Sequence, residues 1–178
     1  MRSLVFAVLI LLLGSPALHS QAPAAAGSEE RSGRDVMQHW VGDWTGGVAG
    51  AADTKVPHFA HTPDHANAVW TLDEHFVQGT NFNKDGQAVG VWLMRHDPAS
   101  QKFQVWFFDA QGGVSAWNGT WDRSKQTMTW ETRDAESQTT GSGETRFVDG
   151  RQEWTMTVRK DGTSEESSGS LTRKSSGG

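Results

Sequence analysis

The chain has 178 residues and a net charge of −5, with nine Trp, eight Phe, no Tyr and no Cys. Without cysteine there is neither a disulfide framework nor a thiol to lipidate, so the core alone must hold the fold. Charges of both signs are interspersed and no basic stripe accompanies the aromatic residues, which argues against nucleic acid as a partner. Taken in chain order, Arg2 precedes an unbroken apolar run from Leu4 to Leu13, closed by Gly14, Ser15 and Pro16. Residues 1–24 therefore read as a signal peptide, too short and wrongly flanked for a membrane span. Ala22-Pro23-Ala24 offers the cleavage site, and a cut after Ser20 is the rival. The expectation is a secreted or periplasmic protein with no membrane span after cleavage.

Residues 25–34 are rich in small residues and read as a flexible linker. Residues 35–174 are one domain's worth of chain, long enough to bury a core, and residues 175–178 form a disordered tail. At the start, Ser32 and Asp35 resemble a capping box, and Val36, Met37, Trp40 and Val41 share one helical face before Gly42. So short a helix persists only if Met37 and Trp40 lie against something apolar.

A strand is predicted from Gly42 to Gly50, then a Pro- and His-containing stretch from Ala51 to His65 without strand periodicity. Nine further strands follow: Asn67–Leu72, His75–Asn83, Gln87–His96, Lys102–Ala110, Val114–Asp122, Gln126–Arg133, Gly143–Val148, Gln152–Lys160 and Glu165–Thr172. Turn signals separate them, among them Lys84-Asp85-Gly86, Gln111-Gly112-Gly113, Val148-Asp149-Gly150 and Lys160-Asp161-Gly162. Asp73-Glu74 must be a tight turn if its two flanking strands are separate. Trp154, Met156 and Val158 share one face while Thr155, Thr157 and Arg159 share the other, as a half-buried strand requires. Lys102–Ala110 is apolar on both faces, so parity leaves open which way Trp106 points. Ten antiparallel neighbours have exposed edges, and closure removes them. The fold class is thus all-β: a ten-stranded antiparallel up-and-down meander closed as a barrel, with a short N-terminal helix and room for a cavity.

A helix followed by Gly42-Asp43-Trp44 at the head of such a meander resembles the lipocalin and calycin pattern. In that pattern the Trp plugs one barrel end beneath a basic residue from the last strand, a position that Arg173 of Leu171-Thr172-Arg173 matches. The chain more closely resembles a bacterial exported family known as domain of unknown function 1579. The matching pieces are Trp40 to Trp44, the strand ending in Arg95-His96-Asp97, Lys102 to Trp106, the hairpin from Trp117 through Trp130, and the terminal Leu171-Thr172-Arg173. That family tends to place a Gly pair where this chain has Asp73-Glu74, and the stretch from Ala51 to His65 lies outside its pattern. The resemblance implies a calycin-like barrel in an exported protein and transfers no catalytic residue.

Three chemistries compete. His58, His61 and His65 have types that hold zinc, with Asp64 or Glu74 as general-base candidates for a metal-dependent hydrolase or isomerase. Pro57 and Pro63 interrupt any helix that would align them, and such a tract reads first as a polar loop. Haem is the second option, with His75 or His96 as its ligand at the barrel mouth. The third reading leads: a binding module for a small hydrophobic molecule, with Trp44, Trp92, Met94, Trp106, Trp130, Trp154 and Arg173 as its candidate ligand-binding residues. Most single tryptophans are nonetheless better read as core, since buried aromatics mostly pack.

Overall fold

A computed structural model of the chain describes residues 32–46, 48–49, 63–134 and 138–175. The proposed signal peptide, most of the linker, His58 and His61 lie outside the described residues. The hairpin turns organise everything else. Nine strands run in sequence, each antiparallel to the next: β3 (His65–Thr71), β4 (Phe76–Phe82), β5 (Ala88–Asp97), β6 (Lys102–Asp109), β7 (Val114–Asp122), β8 (Thr127–Asp134), β9 (Thr139–Val148), β10 (Arg151–Lys160) and β11 (Thr163–Arg173). The tenth, β1 (Gly42–Thr45), pairs with both β3 and β11 and closes the ring. The expected antiparallel barrel is present.

Its seam departs from expectation. The first strand does not run unbroken from Gly42 to Gly50. It stops at Thr45, and a two-residue strand, β2 (Val48–Ala49), then pairs with β11 alone. Gly46 lies at the break, where a Cβ would sit 2.3 Å from the Ser170 carbonyl oxygen. Only a residue without a side chain lets the two backbones pass so closely. The ninth strand begins at Thr139 rather than Gly143.

Turn chemistry matches the backbone. Asp149-Gly150 and Asp161-Gly162 both have positive φ at the two central positions, the backbone of a two-residue hairpin turn. The β5–β6 and β7–β8 turns share a different device. Asp97 and Asp122 accept hydrogen bonds from the backbone N–H two residues on. Gln101 and Gln126 then adopt left-handed φ, and each side-chain amide donates to a turn carbonyl at 2.9 Å. The Leu72–His75 turn is more strained. Leu72, Asp73 and Glu74 all have φ between 51° and 62°, a run of left-handed residues without glycine.

The helix covers residues 32–37, and Val36, Met37 and Trp40 are buried against the barrel interior. Gly33 fits because a Cβ there would sit 2.1 Å from His96 Nδ1. Ser32 Oγ accepts a hydrogen bond from Arg123, and Arg34 reaches across to pair with Glu74 and lies over the Trp70 ring. Gln38 accepts from the Trp70 indole N–H at 2.8 Å. The helix thus closes the barrel end that carries the 72–75, 98–101 and 123–126 turns.

Candidate functional site

Inside the ring, inward residues follow the pairing register. Val77, Met94 and Val105 oppose one another across β4, β5 and β6, and Trp92 faces Gly79 on one side and Phe107 on the other. Trp130 lies between Gly119 and Gly143, and Trp154 opposes Gly169. These glycines are seats for rings. A Cβ at Gly79 would lie 2.0 Å from the Trp92 ring, at Gly119 2.7 Å from Trp130, at Gly141 2.5 Å from Trp117, and at Gly169 2.7 Å from Trp154. Large and small residues alternate around the wall, as a narrow barrel needs. Sequence reasoning found the tryptophans and missed their glycine partners. The signal was available as a cross-strand pairing, readable only once the register is known.

At the helix end the rings fill space. Trp40 packs edge-on to Phe147 at 4.6 Å, to Trp130 at 6.1 Å and to Trp121 at 6.3 Å. Trp44, 2 % exposed, donates its indole N–H to the Trp40 carbonyl at 2.8 Å. The Arg173 guanidinium lies 4.6 Å over the Trp44 ring and donates to the His39 carbonyl at 2.8 Å. One cation therefore ties the last strand to both the first strand and the helix. His39 lies half-buried against Trp121 and Phe147. Burial first, and the Arg173 charge second, hold its imidazole below its ordinary pKa.

Beyond Trp40 and Trp44 the packing stops, leaving a cavity of about 140 Å³. Trp44, Trp92, Met94, Trp130 and Trp154 all border it, together with Phe107 and Trp117. Its polar side chains are Asn81, Thr145 and Gln152. Asn81 accepts from the Trp92 indole N–H at 3.3 Å and Thr145 from the Trp130 indole N–H at 3.0 Å. No described residue that lines the cavity is ionisable.

The other candidates sit elsewhere. Trp106 is on the outer face, under the Arg95 guanidinium at 5.8 Å, and does not line the cavity. In the doubly apolar strand it is Phe103, Val105 and Phe107 that turn inward, because their partners Gly119, Trp117 and Ser115 do. Arg173 is at the plugged end and acts on Trp44 from there. His65 stacks on Phe82 at 4.6 Å, nearly parallel. His75 is exposed in the strained turn and His96 packs on Phe103, so neither borders the cavity. Among the described residues no three His, Cys, Asp or Glu side chains gather as a metal site. Arg95 donates to Gln104 on the outer face, and Asp97 caps its turn.

Fold and site together define a class: a closed antiparallel ten-stranded barrel, plugged by a helix at one end, with an aromatic-walled internal cavity. Neither a protein-family model nor a curated protein matches the chain.

Proposed function

We propose that this is an exported, lipocalin-like binding protein that holds a small hydrophobic molecule in its lumen. The observation that carries the reading is the cavity of about 140 Å³, walled by Trp44, Trp92, Trp130 and Trp154. Close packing is the rule in protein interiors, and a void forfeits dispersion contacts that a bound molecule would restore. Apolar walls with a few placed polar groups are the usual make-up of a small-molecule site. The lipocalin assignment draws support from Trp44, which lies in β1 just after a short helix and beneath Arg173 of the last strand. The assignment to domain of unknown function 1579 rests on the sequence pieces alone, and export on the N-terminal apolar run.

The test is intrinsic tryptophan fluorescence titrated with fatty acids, retinoid-like compounds and aromatic metabolites. Saturable quenching or a spectral shift with one class supports binding. If no class perturbs the emission, the reading falls.

A further inference from the structure

The cavity restricts what can enter it. Resting on the binding function above, we propose that the lumen takes a compact, uncharged, single-ring aromatic molecule bearing a hydroxyl group, which Gln152 and the Trp154 indole N–H orient.

Size is the first argument. An apolar protein cavity of ~150 Å³ accepts a benzene ring, and this one measures about 140 Å³. A long acyl chain needs a channel to extend along, yet the inner end is blocked by Trp40 and Trp44, 6 % and 2 % exposed. Wall chemistry is the second. Trp92, Phe107, Trp117, Trp130 and Trp154 present rings from several strands, surfaces on which a flat aromatic stacks or packs edge-on. Charge is the third. The described lining residues include no ionisable side chain, so a carboxylate or ammonium would lose its water without a counter-charge.

The hydroxyl follows from which polar groups are already engaged. Asn81 and Thr145 hold the Trp92 and Trp130 indoles in place. Gln152 and Trp154 line the same cavity from one face of β10, and neither side chain has a hydrogen-bond partner among the described residues. A carboxamide both donates and accepts, whereas an indole N–H only donates. A hydroxyl, itself donor and acceptor, matches the hydrogen-bonding capacity of either group.

The experiment follows the nine indole N–H resonances of the ¹⁵N-labelled protein during titration with phenol, toluene, benzoate and dodecanoate. Phenol is expected to shift the Trp154 resonance saturably while outward-facing Trp106 stays still. It should bind about five- to thirtyfold more tightly than toluene, the worth of one or two net hydrogen bonds, and more tightly than either anion. Gln152→Leu should reduce phenol's advantage over toluene, the Trp154 indole N–H remaining, without weakening toluene; toluene binding then also reports that the variant is folded. Dodecanoate binding more tightly than phenol overturns the compact-ring inference and leaves the binding function standing. Equal affinity for phenol and toluene in the wild-type protein overturns the hydroxyl and the role of Gln152, with no variant needed. If none of the four probes moves a cavity indole while a larger neutral ligand does, the inference alone fails. If nothing tested moves one, the binding function fails with it.

Discussion

The plugged end and the lumen are built from the same residue type and do opposite things with it. Around Trp40, rings meet rings at 4.6 to 6.3 Å, and this packed cluster forms the floor of the cavity. Around Trp92 and Trp154, each ring lies over a glycine of the neighbouring strand, Gly79 or Gly169, and its other side borders the cavity. The difference comes from what opposes the ring. A third layer, the helix bringing Val36, Met37 and Trp40, completes the packing at one end. In the lumen the described residues provide no such layer. Abundant tryptophan is therefore no mark of a site, while tryptophan that is seated on one side and bare on the other is.

The largest break in this comparison is Trp40→Ala. Removing a buried aromatic from a filled region should lower stability by about 3–5 kcal/mol, read as a lower urea midpoint at unchanged slope. Trp154→Ala, taken from a ring that is half-buried and borders open space, should cost less and enlarge the lumen. If the two losses are equal, plug and wall are not energetically distinct.

Gly79→Ala probes the seats. Its new methyl would collide with the Trp92 ring at 2.0 Å, so the ring must move into the cavity or the strands must part. Overpacking of this kind costs about 1–3 kcal/mol. Toluene affinity should drop in parallel, since the displaced ring occupies ligand space. Gly86→Ala makes a poor control despite the open space around it, because its φ of 77° strains any side chain; Ala110→Gly in the adjacent exposed turn serves better.

How much of this was legible beforehand differs strand by strand. Val114–Asp122 was readable to the residue, because its inward Trp117 and Trp121 alternate with polar neighbours and clear turn signals bound it. The start of β9 was not, because its inward positions are Gly141 and Gly143. Glycine carries no hydrophobic signal, and these two matter only as space for Trp117 and Met156. The break at Gly46 depends on the Ser170 carbonyl, a contact between the first and last strands that no local pattern encodes. Trp106 was ambiguous because both faces of its strand are apolar, and cross-strand partners had to decide it. Five of the seven candidate ligand residues border the cavity, Trp154 among them, while Gln152 beside it was invisible. That Gln152 is unpartnered among the described residues is a statement about everything around it.

A smaller effect belongs to the plugged end alone. Asp73 holds φ at 54° in the strained Leu72–His75 turn, where a non-glycine residue is disfavoured by about 1–2 kcal/mol. Asp73→Gly relieves this but frees the unfolded chain, an offset of roughly 0.5–1 kcal/mol. The net expectation is a gain of about 0.5–1 kcal/mol, visible in thermal melts, with ligand affinity unchanged. A loss of stability would mean the turn conformation is imposed by the Arg34–Glu74 pair rather than tolerated.

The smallest effect is a pH dependence confined to His39. Its folded-state pKa lies below the ordinary 6.5, through burial and then the Arg173 charge. Above pH 6.5 the imidazole is neutral in both folded and unfolded chains, and its contribution to stability is complete. Once the pH drops below 6.5 the unfolded chain takes up the proton first, so stability must fall as the pH falls. The loss is complete when the pH passes below the depressed folded value. His39→Gln removes the titration and retains a neutral polar side chain, at the expense of some stacking on Trp121 and Phe147. That expense is a constant offset. The difference in stability between wild type and variant should therefore be flat above pH 6.5 and shift against the wild type below it. A difference that stays flat through the acid range would place His39 in contact with solvent and loosen the helix from the barrel end. Because Arg173 also clamps Trp44 and the His39 carbonyl, a protonated His39 sets two cations against each other at the plug, and the lumen, whose described lining carries no ionisable group, should not respond.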